Sequence, residues 1–271
     1  MGAPETLPDV QGMLADFGFT IDQVGVKSVK FPLQVACADG GAQATVATLD
    51  MYVALPPTQK GTHMSRFLEQ LHAHQGPLDG RALHGFVRDM AQRLNAESAE
   101  VSLRFPYFVR KTAPVSGAVS LLDVEAAMRG EWRADRGWTL TLTVTTPVTS
   151  LCPCSKEISR YGAHNQRSAI TLSVELATDA DMSLEHLVRV AEHSASCELF
   201  GLLKRPDEKW VTERAYDNPK FVEDLVRDIA LRLKREPRIA AWTVKSENFE
   251  SIHNHSAYAR IERRSEERRV G

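Results

Sequence analysis

The chain has 271 residues, of which 43% are hydrophobic and 25% charged, and its formal net charge is −2 at pH 7. These are ordinary values for a globular protein with a sizeable core, folded as one large domain or two of average size. The net charge gives no support for a general nucleic-acid or membrane-surface role, so an anionic ligand needs a locally basic pocket. Residues 1–22 lack the pattern of a secretory signal, no apolar run is long enough to span a bilayer, and the four cysteines do not suggest a disulfide framework. We therefore expect a cytoplasmic protein.

Turn-bounded apolar patterns predict the elements of a first half, which follows a lead-in over residues 1–22. These elements are strands Val24–Val35 and Ala44–Leu55, helices Thr62–His74 and Arg81–Leu94, and strands Ala99–Val109 and Ser116–Arg133. Phe67 and Leu71 share one face of the first helix, as Met90 and Leu94 do on the second.

The second half opens with the clearest strand pattern, Trp138–Thr145, in which apolar and threonine side chains alternate. The elements predicted after it are strand Ser168–Ala177, helix Ser183–Leu199 capped by Ser183, helix Asn218–Arg235 with Phe221, Leu225, Ile229 and Leu233 on its apolar face, and strands Trp242–Lys245 and Ile252–Ile261. Both halves follow the order β-β-α-α-β-β. This predicts an α+β protein of two tandem modules, 23–135 and 136–263, with a charged tail over 264–271.

Two cysteines flank a proline in Cys152-Pro153-Cys154, just beyond a strand predicted to end near Pro147, and His164 follows ten residues later. Thiolate and imidazole are preferred ligands of zinc and related metals. The segment therefore predicts a metal-binding loop. The plain alternative is a pair of loop thiols without a role, since this spacing is less specific than paired CxxC knuckles. The other two cysteines, Cys37 and Cys197, are expected to be buried thiols.

A second polar cluster lies near the end of the chain. His253 and His255 are two residues apart in the predicted strand Ile252–Ile261, so their imidazoles are expected to share a face. Glu250 precedes them and could reach the same space. Such a group suits metal binding or general acid–base catalysis, and the plain alternative is a polar edge strand.

Two acidic residues carry weaker signals. Glu208 lies in the charge run Lys204–Lys209, which we expect to be a solvated loop, although its carboxylate could reach a metal. Glu223 lies in the first turn of a predicted helix, where acidic residues commonly complement the helix dipole.

A possible phosphate site lies where the first β region meets its helix. Free N–H groups at a helix start, with Lys60 and Arg66 nearby, suit a phosphate, although this is not a P-loop. His63 in the same segment could equally cap the helix.

Together, five separated motifs closely resemble the prokaryotic GTP cyclohydrolase type IB (FolE2) family. They are Gly61–Arg66, Leu151–Lys156, Gly162–Ser168, Asn218–Asp224 and Glu250–His255. They occur in the family's order, and the resemblance extends from about Gly25 to Arg263.

The resemblance implies the tunnelling fold, in which β-β-α-α-β-β modules with antiparallel sheets, here two in one chain, assemble around a central tunnel. It implies a homo-oligomer, typically a homotetramer, with active sites at subunit interfaces. The implied reaction converts GTP and water to formate and 7,8-dihydroneopterin triphosphate, the entry to folate and pterin synthesis. The implied cofactor is a divalent metal, zinc or manganese, with iron as a further candidate.

The resemblance also assigns roles by position. Cys152 and His164 match the family's metal ligands, and Glu208 joins them. Cys154 matches a second active-site cysteine, and Glu223 matches the acidic residue that anchors the purine. The residues assigned to catalysis are Cys152, Cys154, Glu250, His253 and His255. Lys60, His63 and Arg66 are the candidates for binding the rest of the substrate.

Two other functions remain open from the sequence. A related tunnelling-fold nitrile reductase needs a nucleophilic cysteine, a nearby aspartate and a nicotinamide cofactor, and the chain shows no such pairing and no dinucleotide fingerprint. A binding protein stabilised by a metal is the other candidate. A fluorescent pterin product from GTP would exclude it.

Overall fold

The computed structural model describes Val10, Gln11, Met13 and residues 16–264, so most of the predicted lead-in and tail lies outside the described residues. The strands in this part are β1 (Ile21–Ala36), β2 (Ala42–Leu55), β3 (Ser98–Thr112), β4 (Val119–Arg133), β5 (Gly137–Leu151), β6 (Asn165–Leu176), β7 (Cys197–Glu198), β8 (Ile239–Asn248) and β9 (Ala257–Arg263). The helices are α1 (Met64–Ala73), α2 (Gly80–Arg93), α3 (Pro153–Ile158), α4 (Leu184–Glu192), α5 (Arg205–Asp217) and α6 (Val222–Lys234).

One antiparallel sheet runs through the molecule in the order β1-β2-β3-β4-β5-β6-β8-β9, and the short β7 pairs with β5 off this path. Side chains alternate between its two faces. On β5, Leu140, Leu142 and Val144 are buried. Threonines between them point to the opposite face, where Thr143 bonds Ser173 of β6 at 2.9 Å. The sheet therefore has an apolar face covered by helices and a polar face, as the alternating pattern predicted.

The β4–β5 hairpin joins the two halves of this sheet. Its turn ends at Gly137, whose φ of +79° favours glycine. Next to it, Trp138 crosses Gly130 of β4 and stacks on His84 of α2, with ring centroids 4.6 Å apart. A Cβ atom at position 130 would lie 2.3 Å from Trp138 Cη2, so the close approach requires glycine. The hairpin thus connects the sheet to the helix layer as well as the two halves to each other.

The helical spacing of apolar residues in the sequence predicted most of these buried core residues correctly. Phe67 and Leu71 of α1 and Met90 of α2 are buried as predicted, and Leu94 is buried at the end of α2. On α6, the buried face holds Leu225, Ile229 and Leu233. Phe221 is the exception, because it is the N-cap residue and 43% of it is exposed.

Two element ends predicted from the sequence are wrong. β5 continues through Pro147 to Leu151, and every residue of this last part of β5 pairs with β6. The helix predicted over Ser183–Leu199 stops at Glu192, although Ser183 caps it by accepting the N–H of His186 at 3.2 Å. Beyond it the chain turns and forms β7 against β5, a tertiary contact that helical periodicity does not reveal.

The charge run Lys204–Lys209, expected to be a solvated loop, instead begins helix α5. Pro206 occupies the first turn, where its missing N–H costs nothing, and Asp207 bonds the N–H of Lys204 at 2.8 Å. The second half therefore has three helices between β6 and β8 where two were predicted. No helix in the described part of the chain is long and apolar enough to cross a membrane.

Candidate active site

The first wall of the site is the connection between β5 and β6. Leu151 at the end of β5 pairs with Asn165 at the start of β6. The backbone N–H of Cys152 then donates to the carbonyl of His164 at 3.2 Å. The ends of two paired strands therefore bring Cys152 and His164 next to each other, although twelve positions separate them.

Cys152 is also the N-cap of a helix, and the prediction that this segment is a loop is wrong. Its Sγ atom accepts the N–H of Ser155 at 3.4 Å, and Pro153 begins α3, where proline is favoured. The helix has only six residues, too few for a periodic apolar signal. Cys154 lies on this helix and is exposed, whereas Cys152 is half-buried. The two cysteines thus have different surroundings.

His164 is held through both its backbone and its ring. Its N–H donates to Ser155 Oγ at 3.2 Å. Its Nδ1 atom lies 2.9 Å from Oε1 of Gln166 and 3.4 Å from Oγ of Ser251. The contacts engage Nδ1 and leave Nε2 as the ring nitrogen for a ligand.

The loop between β8 and β9 forms the second wall. The N–H of Phe249 donates to the carbonyl of Arg167 at 3.0 Å, which extends the β8–β6 ladder past its last paired residues. Glu250 therefore lies beside β6, and its Oε1 accepts a hydrogen bond of 3.4 Å from Nε2 of Gln166.

His253 and His255 lie in this loop and not on a strand, contrary to the prediction. β9 begins only at Ala257, where its pairing with Asn248 of β8 starts. Alternation along a strand therefore does not explain their common orientation. Their rings nevertheless stack, with centroids 5.1 Å apart and planes inclined by 17°.

The third wall is the start of α6. The N–H of Lys220 donates to the carbonyl of Leu151 at 3.0 Å, which ties this segment to the end of β5. Asp224 accepts the N–H of Phe221 at 3.0 Å and caps the helix. Glu223 follows the cap and is exposed. Among the described residues, none forms a hydrogen bond or ion pair with its carboxylate.

These walls enclose a cleft of about 290 Å³. Six of the predicted site residues line it: Cys152, His164, Glu223, Glu250, His253 and His255. They come from three segments that are distant in sequence. The backbone bonds at the ends of β5, β6 and β8 bring these segments together.

The described structure does not bring Glu208 into this cleft. Glu208 lies in the first turn of α5, while the other end of that helix contacts α3 through a hydrogen bond from Lys156 to the carbonyl of Tyr216. Glu208 and Tyr216 are eight positions apart on the helix, or about 12 Å along the axis.

The basic segment, Lys60 to Arg66, which was predicted to bind phosphate, also lies outside the cleft. Lys60, His63 and Arg66 lie at the start of α1, which packs on the β1–β4 half of the sheet, and they do not line the cleft. His63 is the N-cap residue of α1, a position that the sequence had left open.

The donors in the cleft fit one side of a metal site. Cys152 and His164 offer a thiolate and an imidazole, two of the three protein ligands of a typical catalytic zinc. Among the residues that the structure describes, no group of three His, Cys, Asp or Glu side chains is arranged to hold a metal ion. The third ligand predicted by the resemblance, Glu208, therefore remains a prediction.

Gln166 is a residue of the cleft that the sequence reasoning missed. It is the second residue of β6, is 9% exposed, and touches both His164 and Glu250. The available signal was its position two residues after His164 at a strand start, which puts both side chains on one face.

A family description matches most of the chain. Residues 7–259 match type I GTP cyclohydrolase folE2. The chain belongs to this family. The prediction made from the five motifs is therefore confirmed, and with it the enzyme class, a type I GTP cyclohydrolase.

Curated relatives agree over nearly the full length. A protein named GTP cyclohydrolase FolE2 1 from Dechloromonas aromatica is 62% identical over 263 residues, which cover 96% of this chain and 98% of the relative. GTP cyclohydrolase FolE2 2 from Cupriavidus metallidurans is 58% identical, covering 94% of each chain. GTP cyclohydrolase FolE2 from Nitrosomonas eutropha is 54% identical, covering 96% of each.

Solved structures with similar folds include urate oxidases. A highly active mutant of the Bacillus sp. TB-90 enzyme aligns with a TM-score of 0.51 at 9% identity, covering 90% of this chain and 100% of that one. At this identity the likeness concerns the fold alone. It confirms the α+β tunnelling fold predicted from the resemblance.

Proposed function

We propose that this chain is a metal-dependent enzyme that converts GTP and water to formate and 7,8-dihydroneopterin triphosphate, the first step of tetrahydrofolate and pterin synthesis. The observation that supports this reaction most directly is the common cleft of Cys152, His164, Glu223, Glu250, His253 and His255. This cleft combines metal ligands, groups that can transfer protons and a carboxylate that can bind the guanine base. Cys152 and Cys154 are free thiols, which supports a reducing compartment, and we place the protein in the cytoplasm.

Glu223 anchors guanine in this proposal. A carboxylate can accept two hydrogen bonds, one from guanine N1–H and one from the 2-amino group. Its exposure at the start of α6, without a competing partner among the described residues, leaves both oxygens available. Adenine lacks both donors and cannot form this pair, so we expect turnover of GTP to be favoured over turnover of ATP.

Cys152, His164 and Glu208 hold the metal in this proposal. A zinc, manganese or iron ion held by these residues would supply hydroxide near neutral pH for attack on C8 of guanine, because such a metal lowers the pKa of water towards about 7. Cys152 and His164 already lie in the cleft, whereas Glu208 must reach it from α5.

The stacked His253 and His255 carry out proton transfers. One donates a proton at an imidazole nitrogen of guanine as the ring opens, and a base assists the departure of formate. Glu250 orients these groups from the same loop. His253→Ala should abolish formate release and leave GTP binding largely intact. Loss of binding with no loss of turnover at saturating GTP would contradict the acid–base role.

The triphosphate is bound by Lys60, His63 and Arg66 of a neighbouring subunit in a homotetramer. These residues lie away from the cleft of their own chain, which supports a site completed between subunits. Free N–H groups at the start of α1 add to the attraction for phosphate.

Turnover tests the proposal directly. The metal-stripped protein is given zinc, manganese, iron or magnesium in turn, and formate and a fluorescent pterin are measured with GTP and with ATP. We expect both products from GTP with at least one metal and none from ATP. Glu223→Gln should lower kcat/KM for GTP without changing the metal content. Absence of both products with every metal would overturn the proposal and favour a metal-stabilised binding protein.

A further inference from the structure

Gln166 connects two groups of the cleft that do not touch each other directly. Its Oε1 lies 2.9 Å from Nδ1 of His164, and its Nε2 lies 3.4 Å from Oε1 of Glu250. The side chain is almost fully buried at the start of β6, next to the paired end of β5. Its amide therefore has a fixed pair of partners.

The orientation of this amide follows from the chemistry of Glu250. A carboxylate has no proton to donate, so it can only accept a hydrogen bond. The NH₂ group of Gln166 must therefore face Glu250, and its carbonyl oxygen must face His164. The reversed amide would place two acceptor oxygens against each other and an NH₂ group against Nδ1.

The orientation of the amide in turn fixes the proton on His164. A carbonyl oxygen only accepts, so Nδ1 must carry the hydrogen, and in the neutral ring Nε2 then carries the lone pair. Ser251 Oγ, 3.4 Å from Nδ1, does not alter this result because a hydroxyl can accept as well as donate. A metal ligand needs a nitrogen with a lone pair, which this tautomer provides at Nε2.

We propose that Gln166 is a positioning residue: oriented by Glu250, it holds His164 as the Nδ1–H tautomer and presents Nε2 to a divalent metal. This inference rests on the metal-binding role of His164 in the proposed function. It assigns no contact with substrate to Gln166.

The tautomer can be measured without metal or substrate. Long-range ¹H–¹⁵N correlation spectra of the protein labelled with ¹⁵N-histidine distinguish the two neutral tautomers, and His164→Gln identifies the signal. We expect the Nδ1–H form of His164 in the metal-free wild type. In Glu250→Gln the amide of Gln166 can be satisfied in either orientation, so we expect a mixture of tautomers. The Nε2–H form in the wild type would overturn the proposal.

Zinc affinity gives an independent measurement, by competition with a chromophoric chelator. Gln166→Met removes both hydrogen bonds at similar side-chain length and should weaken zinc binding about ten- to a hundredfold. Gln166→Glu keeps an acceptor for Nδ1–H but faces Glu250 with a second carboxylate, so it separates the two contacts. The control is Gln43→Met, because Gln43 bonds the backbone of Phe108 away from the cleft.

The outcomes separate this inference from the proposed function. If the wild type binds zinc and turns over GTP while Gln166→Met binds zinc equally tightly, the positioning role is wrong and the function stands. If the wild type produces no pterin but shows the expected tautomer, and Gln166→Met binds zinc more weakly than the wild type, the function is wrong and the positioning role stands. If the Gln166→Met variant does not fold, the tautomer of His164 measured in the wild type tests the positioning role.

Discussion

The carboxylate of Asp207 accepts hydrogen bonds from both the N–H and the hydroxyl of Ser116, at 2.8 and 2.6 Å. It also accepts the N–H groups of Val115 and Lys204, each at 2.8 Å. Burial acts to raise the pKa of this carboxyl, but the four hydrogen bonds favour the charged form and lower the pKa below its ordinary value. Asp207 thereby ties the β3–β4 turn to the first turn of α5, next to Glu208.

Asp207→Asn should therefore lower the Tm at pH 7. Since the folded-state pKa lies below the unfolded value of about 3.9, the stabilisation is fully present above that value and is lost as the pH falls through the folded pKa. The difference in Tm between wild type and variant should shrink on acidification. Asp217→Asn, at the exposed end of α5, is the control. An unchanged Tm for Asp207→Asn at pH 7 would contradict the role.

Lys111 forms a buried ion pair with Glu192 at 2.8 Å and also contacts Glu198. Burial raises the pKa of Glu192, while Lys111 acts in the opposite direction. Lys111→Met leaves this carboxylate buried without its partner, and we expect a loss of about 3–5 kcal/mol in the free energy of unfolding. Denaturant unfolding measures it, with Arg110→Met on the exposed side of β3 as the control. Adding Glu192→Leu should restore part of the loss.

The contact of Gly130 with Trp138 predicts a steric effect. Gly130→Ala should destabilise the protein by about 1–3 kcal/mol, because the new methyl group meets an indole that is stacked on His84. Gly85→Ala is a matched control, since a Cβ there meets nothing within 4 Å and alanine favours the helix interior by about 1 kcal/mol. Opposite signs of the two changes in unfolding free energy are expected. Equal signs would contradict the packing argument.

The cysteines should differ in reactivity towards an alkylating reagent at pH 8, followed by mass spectrometry. Cys154 is exposed and should react quickly. Cys197 should react only on unfolding, because burial raises its pKa to about 11 and blocks access. Added zinc should protect Cys152 and leave Cys154 reactive. Protection of Cys154 alone would reassign the metal ligand.

Active sites that are completed between subunits predict that two inactive variants restore activity when they are combined in one oligomer. Cys152→Ser removes a cleft residue, and Arg66→Ala removes a residue of the basic segment on α1. Each variant alone should be inactive. When they are unfolded and reassembled together, about one quarter of the sites should contain both intact parts, with a corresponding return of formate release. No recovery in mixed oligomers would place both residues in the site of one chain.

Much of this fold was predictable because its strands and longer helices carry strong periodicity. The alternation along Trp138–Thr145 and the buried stripe of α6 both result from one apolar face, which local sequence records directly. The boundaries that failed depend on distant contacts. Helix α4 stops where β7 meets β5, and α5 begins where Asp207 reaches the β3–β4 turn.

The site was predictable in composition but not in arrangement. The motifs identified Cys152, His164 and the Glu250–His255 segment, yet β9 begins too late to carry the two histidines. Their stacking depends on the loop, which has no periodicity. Gln166 was missed because its importance lies in its two partners, and one of them is 84 positions away.

Strand order that follows chain order has a consequence for synthesis on the ribosome. β1 to β4 can pair, and α1 and α2 can cover them, before any residue of the cleft has been translated. Until β5 emerges, β4 presents an open edge, and unpaired edges invite association with other chains. A nascent chain that stalls after the β4–β5 turn would therefore carry no cleft residue and would expose the unpaired edge of β4.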